Sequence, residues 1–509
     1  MQMNADFPRA CPVPAETPAG RAAEAPENPC DQRLAGIIQI APAFSRLMKA
    51  RGLARCWLAV LVFFPLVTTA VADPADDYLP RSFAGTDAGF FPGCGKKTPE
   101  TPLTVVEAVD LALCRHPQTR ELWAQARVQA AQLGMAEAAW RPRVDARASW
   151  LEKRSGEVDS RQQTAELSLS WLLYDSGLRA ANAENARQLL AAALASRDAS
   201  LQAVFFASLQ AYYNTHALNA ALLAAKQAEA AAARSLETAE ARYRAGTATP
   251  ADRLLARTAG SQARLARIRS EGELRNAYGT LANALGFSAA QPLVLAPLPT
   301  LSSLPQFADK VERLIADAQR RRPDLLAAEA QVRAAEAALA AARAQGQPSL
   351  SLVAGPQWQT LAGRDTQAGS IGLTLNVPLY TGHENTWRIR QAEAQRELRQ
   401  AQQERQGNQV ALDVWKAWHG LRTAAEAWQA SGDLLASAEQ SAKVAFGRYQ
   451  AGVGTVLDLL TAQAAEASAR QQRIQSELDW NVQRAGLAQA LGRLEPGWFA
   501  ADTAGNEGW

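Results

Sequence analysis

The sequence predicts a mainly α-helical chain with a small β part, internally duplicated as a helix–strand–strand–helix–helix unit. Three observations carry this. Arg115-His116-Pro117 is answered by Arg321-Arg322-Pro323, Leu173-Tyr174 by Leu379-Tyr380, Arg242-Tyr243-Arg244-Ala245-Gly246 by Arg448-Tyr449-Gln450-Ala451-Gly452, and Ala284-Leu285-Gly286 by Ala490-Leu491-Gly492, every pair 206 positions apart. One constant register for Pro, Gly and Tyr is the signature of a repeat rather than of shared composition. No proline interrupts the chain between Pro142 and Pro250 or between Pro378 and Pro496, which leaves room for two very long helices. Ahead of each lies a pair of short segments in which apolar and polar residues alternate, the period of a strand with one apolar face.

The elements follow in order. Residues 1–47, rich in Ala and Pro, are expected to be a non-structural extension. At 48–72, Lys49, Arg51 and Arg55 precede an apolar run from Trp57 to Val71 broken by Pro65, and Ala70-Val71-Ala72 closes it. A basic stretch, a short apolar stretch and an A-x-A site make an export signal cut after Ala72. The run is shorter than the ~20 residues that span a bilayer, and Cys56 is not placed as a lipoprotein box would need. A tail at 73–102 leads to the first repeat, 103–286, with a helix at about 104–140 ending before Pro142. Strands over about 143–173 follow, with Lys153–Gln163 as a polar hairpin loop. A long helix at about 179–245 ends at Gly246, and a shorter one runs about 251–286. A Pro-rich connector fills 287–307. The second repeat, 308–492, copies this plan: helix 308–345, strands over about 349–378 with a loop at Leu361–Ala368, long helix 383–450, shorter helix 455–492, then a tail at 493–509. The first and third helices of a copy together match the long one, so they stack end to end beside it.

Four strands do not close a barrel, because spanning barrels begin at about eight strands and an open edge does not face lipid. Oligomerisation is therefore required: two chains supply eight strands, three supply twelve. Trp150, Trp171, Trp358, Tyr174 and Tyr380 are either interfacial girdles or core aromatics where helix meets strand. The duplicated unit, the Leu-Tyr and Gly that leave the second strand, and the Tyr-x-x-Gly-(x)5-Asp turn resemble the TolC family of outer-membrane efflux proteins over essentially all of 100–492. The resemblance implies a homotrimer with a twelve-stranded β-barrel in outer-membrane lipid, continuous with a twelve-helix tunnel. It also implies docking to a periplasmic adaptor and to an inner-membrane ABC transporter or other pump. The region around the signal, with no lipid box, is more similar to members that serve type I protein secretion than to drug or metal efflux components.

By that resemblance the helix–helix turns form the periplasmic entrance. Tyr449 matches a gate tyrosine, Asp252 an aspartate that hydrogen-bonds to it, and Asp458 one of two aspartates that ring the lumen. Gly246 and Gly452 mark the turns where an adaptor makes contact. Two positions depart from the pattern: Gly454 stands where a gate arginine is expected and Thr461 where the second aspartate is, leaving Arg448 or Arg253 as substitutes. The plain alternative is that Asp252 and Asp458 cap helix N-termini. Cys94 and Cys114, the cysteines beyond the signal, form a disulfide in an oxidising compartment or remain two small buried thiols.

Composition limits other classes. Lys and Arg number 53 against 50 Asp and Glu, so nucleic acid is not an expected partner. Arg320-Arg321-Arg322 reads as a solvated helix end. His116, His216, His383 and His419 are isolated, so neither catalysis nor a metal or other cofactor is expected. A periplasmic adaptor would have no reason to duplicate strand pairs, and a structural coiled coil would lack both export signal and amphipathic strands.

Overall fold

A computed structural model describes residues 102–155, 158–298, 310–361 and 364–494. The extension at 1–47, the signal at 48–72, nearly all of both tails and most of the second half of the connector lie outside the described residues. In chain order the elements are α1 (Val105–Arg115), α2 (Pro117–Ala138), β1 (Arg143–Ser155), β2 (Val158–Tyr174), α3 (Leu178–Arg244) and α4 (Pro250–Ala284). The second copy supplies α5 (Val311–Arg321), α6 (Pro323–Ala344), β3 (Ser349–Leu361), β4 (Arg364–Asn376), α7 (Glu384–Gln450) and α8 (Val456–Ala490). Helices α3 and α7 each have 67 residues, about 100 Å at 1.5 Å per residue.

Two features differ from the sequence expectation. The first helix of each copy is broken at Pro117 and at Pro323. The preceding residues, His116 (φ −61, ψ 130) and Arg322 (φ −62, ψ 122), are extended. Proline's ring drives its neighbour out of the helical region, while proline itself suits the first position of the next helix. The strands are also longer than expected: β1 reaches Ser155 and β2 starts at Val158, while β3 reaches Leu361 and β4 starts at Arg364. Most of both predicted loops is therefore strand, because the residues read as loop pair across the hairpins, as Lys153 does with Ser160 and Leu361 with Arg364.

Packing centres on α3, which meets α1, α2, α4, α6 and α8; α7 meets α5, α6 and α8. Buried positions on α3 recur every seventh residue, as in Ala183, Leu190, Arg197 and Val204. This is coiled-coil spacing with small residues allowing close approach. An 18-residue window of α3 is apolar enough to cross a bilayer by composition, yet its buried stripe faces helices. Repeat symmetry persists in the core, where Leu281 and Leu285 of one cluster correspond to Leu487 and Leu491 of the other, all buried. The connector is tied to the segment before α1: Leu103 donates to Val294 O at 2.7 Å and accepts from Ala296 N at 2.9 Å, and Tyr212 Oη donates to Leu103 O at 2.9 Å. Burial beside Tyr213 pushes the Tyr212 phenol up to about 12. Cys114, on α1, is disulfide-bonded; Cys94, its expected partner, lies outside the described residues.

The strands form one antiparallel sheet in the order β1-β2-β3-β4, so the copies meet where β2 pairs with β3. Leading from β2 into α3, Ser176 (φ 55) and Gly177 (φ 90) turn the chain through left-handed backbone. The turn is pinned by Arg179, whose Nε donates to Asp175 Oδ2 at 3.0 Å and whose Nη1 donates to Leu172 O at 2.7 Å. Its guanidinium lies 4.3 Å from the Trp140 ring centroid. The two charged side chains are 6% and 7% exposed.

Candidate entrance and membrane-facing sheet

The sheet has one apolar and one polar face. Val144, Leu169, Ala354 and Ile371 occupy paired positions in a row across all four strands. Beside them, on the same face by alternation, lie Leu167, Trp171, Leu350, Leu352, Leu373 and Leu375. Ile371, Leu373 and Leu375 are 79%, 66% and 65% exposed, an arrangement that water does not tolerate in so large a patch. The opposite face carries Asp145, Arg147, Ser168, Ser170, Ser351, Ser370, Gly372 and Thr374. Trp150 and Trp358 bound the apolar band toward the hairpin ends; Trp171, Tyr174 and Tyr380 bound it toward the helices. Trp150, Trp171, Tyr174 and Tyr380 are exposed, and Trp358 is half-buried. Their exposure suits girdles, while Trp171 Nε1 also donates to Trp140 O at 3.0 Å where helix meets strand. From Leu350 to Trp358 the band measures about 27 Å along the strand, of the order of the ~25 Å apolar belt of membrane barrels.

At the far end of the helices, two nearly identical turns join α3 to α4 and α7 to α8. Gly246 (φ 75) donates to Tyr243 O at 3.0 Å and Thr247 N to Arg242 O at 2.9 Å. Gly452 (φ 81) donates to Tyr449 O at 3.1 Å and Val453 N to Arg448 O at 3.0 Å. These paired bonds satisfy the last helical carbonyls, and the left-handed residue between them is one glycine adopts without strain. Each following helix opens with a capping box. Thr249 Oγ1 accepts from Asp252 N at 3.2 Å while Asp252 Oδ2 accepts from Thr249 N at 2.9 Å. Thr455 Oγ1 accepts from Asp458 N at 3.1 Å and Asp458 Oδ2 accepts from Thr455 N at 3.3 Å. Both aspartates thus satisfy orphan N–H groups. The Thr455 hydroxyl and N–H hold the Asp458 carboxyl below the usual range.

Tyr449 is 3% exposed, wedged among Ala239, Ala256, Val456 and Leu459. Its hydroxyl has no hydrogen-bond partner among the described residues, so the expected bond to Asp252 is not formed within the chain, where that carboxylate is engaged by Thr249. Burial pushes the Tyr449 phenol up. The residue that engages Tyr449 is Arg242, one the sequence analysis passed over: its Nη1 donates to Tyr449 O at 2.7 Å and its guanidinium carbon lies 4.8 Å from the ring centroid. Neither expected substitute does this. Arg253 stacks on Tyr243, 4.6 Å from its ring centroid, and Arg448 is exposed. Thr461 is also exposed.

Residues 108–287 and 314–493 match the family described as outer membrane efflux protein, one match on each copy. The chain belongs to that family, the TolC-type outer-membrane channels. It is 33% identical over 403 residues to Protein CyaE of Bordetella pertussis, covering 77% of this chain and 84% of that protein. It is 25% identical to Outer membrane efflux protein BepC of Brucella suis, covering 72% and 80%. Among solved structures, a membrane protein from Pseudomonas aeruginosa superposes with a TM-score of 0.69 at 25% identity, covering 76% of this chain and 93% of that one. The outer membrane protein VceC of Vibrio cholerae shares the fold with a TM-score of 0.67, covering 76% and 96%. This efflux-family channel is therefore an outer-membrane protein with a helical tunnel, and its class is transport rather than enzymatic. Members of the family are outer-membrane components that work with adaptor and inner-membrane partners.

Because the Tyr449 hydroxyl is buried without a partner, Tyr449→Phe removes nothing that is bonded; such a change is near neutral. Single-channel conductance and closed-state leak should equal those of the unaltered protein. A leaky Tyr449→Phe channel would place a hydrogen bond on that hydroxyl in the membrane.

Proposed function

We propose that three copies of the chain close the sheet into a twelve-stranded barrel continuous with a twelve-helix tunnel. Through it a polypeptide passes from an inner-membrane pump to the exterior, as in type I secretion. The observation that carries the reading is the sheet itself: four strands with one exposed apolar face, and two outer strands, β1 and β4, each with an unpaired edge. An antiparallel β1–β4 pairing between neighbours removes every edge, which lipid requires. The polypeptide cargo rests on the sequence resemblance to type I members. A component of an adenylate cyclase–haemolysin toxin exporter is its narrowest form. Small-molecule export is the second reading, favoured by relatives named as efflux pump outer membrane proteins. Cleavage after Ala72 and a Cys94–Cys114 disulfide belong to the same proposal. Cross-linking in outer-membrane vesicles should give trimers, and a soluble monomer would sink the reading. Co-expression with a type I ATPase and adaptor should release the cargo protein into the medium, whereas a proton-driven partner and drug sensitivity would point to small molecules.

In such a trimer Asp458 recurs three times around the mouth, and a ring of carboxylates attracts cations. Asp458→Asn retains an oxygen to cap α8 while removing the charge. Block of conductance by a polyvalent cation added on the helical side should weaken about tenfold if the lost charges together contribute ~1.5 kcal/mol. Unchanged block would place Asp458 away from the lumen.

A further inference from the structure

We propose that neighbouring copies of the chain meet along α7 of one and α4 of the next, and that an ion pair, Asp433 with Arg264 of the neighbouring copy, fastens this seam. The inference rests on the closed ring of chains and names the residues that close it. Away from the sheet the helices succeed one another as α4, α3, α8 and α7, with α3 against α4 and α8, and α8 against α7. The two outer members keep an uncovered side, where Leu412 and Trp415 of α7 and Ile268 of α4 are exposed.

The repeat supplies the template for what covers them. Four contacts fix how α3 lies antiparallel on α8 and the turn that ends it. Gln202 Nε2 donates to Gly492 O at 3.3 Å, a Cβ at Gly486 would lie 3.7 Å from the Phe206 ring, Arg470 Nη1 donates to Gln227 Oε1 at 2.9 Å, and Gln463 Nε2 donates to Ser235 Oγ at 3.0 Å. Moving α3 forward by the repeat offset of 206 gives α7, and moving α8 back by the same offset gives α4. The four contacts then become Asn408 with Gly286, Leu412 with Thr280, Asp433 with Arg264, and Ser441 with Arg257. Each new pair is chemically competent: amide on carbonyl, apolar chain on a small one, carboxylate on guanidinium, hydroxyl on guanidinium. A chain that already contains one such contact needs only to repeat it, head to tail, for a ring to close.

The copies differ where a seam between separate molecules needs them to. Inside the chain, Arg470 meets the neutral Gln227; across the seam, its counterpart Arg264 meets the acid Asp433. Both are exposed, and neither side chain has a hydrogen bond or ion pair among the described residues. The two halves of one chain are brought together by their covalent connection, whereas separate chains gain encounter rate and register from opposite charges. Size is exchanged as well. Leu209 and Ala485, buried in one cluster, are answered by the exposed Trp415 and by Gly279, a larger knob for a smaller seat.

The test uses the full-length protein in outer-membrane extracts, with the assembled form read on unheated gels. Asp433→Arg and Arg264→Asp should each cut the assembled fraction about tenfold or more, since like charges then face each other at every seam. Combining the two exchanges should restore most of it. A short thiol-to-thiol cross-linker should join separate chains when Asp433→Cys and Arg264→Cys are combined. With Gln227→Cys and Arg470→Cys it should close within one chain and leave the monomer mass. Single variants that assemble like the unaltered protein, a recovered double exchange that restores nothing, or a cysteine pair that joins no chains while unheated gels show the oligomer, each overturn the seam and leave the ring standing. Where the reversed-charge variants are not recovered from the membrane, the cysteine pair decides. An unaltered protein that stays monomeric overturns the ring and the seam with it.

Discussion

Ile371→Arg should abolish recovery of the assembled protein from the outer membrane, while Ser370→Arg, one residue away, should leave it largely intact. Ile371 lies mid-band on β4, opposite Ala354, with its side chain on the apolar face. An arginine on the lipid face near the bilayer midplane costs roughly 2–4 kcal/mol. If three chains share a barrel, each contributes the penalty, which exceeds the stability margin of many proteins. Ser370 is on the other face of the same strand, opposite Gly355, the face that the proposed barrel turns to its polar interior. The pair of variants has the same charge and nearly the same strand position, so only the direction of the side chain differs. Gel analysis of unheated membrane extracts reads the assembled form. Equal tolerance of both substitutions would show that the apolar face does not meet lipid.

The second large effect is expected at the junction of sheet and helix. Arg179→Met should lower the temperature at which the assembled protein dissociates by an amount equivalent to roughly 3–5 kcal/mol per chain, because it leaves the buried Asp175 carboxylate without its counter-ion. Adding Asp175→Asn to Arg179→Met should recover much of this loss, since the uncompensated charge then disappears. The remainder reports the bonds from Arg179 to the Leu172 and Leu173 carbonyls and the stack on Trp140. Dissociation temperature followed by circular dichroism and by gel mobility measures both. A double variant as unstable as the single one would assign the whole effect to packing and carbonyl bonding.

Most of the fold was legible because its punctuation is local. Gly246 and Gly452 end the long helices where a left-handed residue is needed, and the constant 206-residue offset let each copy check the other. What escaped detection was of two kinds. Pro117 and Pro323 were visible, but the Ala-rich helical periodicity resumes at once beyond each, so the break is carried by one extended residue that pattern does not reveal. The polar ends of the strands, Lys153 to Ser160 among them, read as loop because half their character comes from pairing rather than from apolar burial. The entrance was partly legible. Asp252, Tyr449 and Asp458 do gather near the turns, yet the aspartates work locally as caps. Arg242 was hidden because its partner is a backbone carbonyl 207 residues away, and a carbonyl leaves no mark in a sequence. The Asp175–Arg179 pair escaped for another reason: its counterparts in the second copy are Thr381 and Asn385, so the repeat gave no second sighting.

The pairing of β2 with β3 sets a timetable for biogenesis. The two hairpins are local and form quickly, but their union joins segments almost two hundred residues apart and waits for most of the chain. Even then the newly exported chain presents two bare strand edges and a greasy face to an aqueous compartment. Edges of that kind recruit any extended peptide they meet. The interval between translocation and ring closure is therefore the hazardous part of this protein's life. Its yield should depend on how fast partner chains cover those edges relative to how fast strays add to them. Overproduction would accelerate both processes, so aggregation should be governed by the supply of folding assistance and of vacant membrane rather than by the stability of the finished channel.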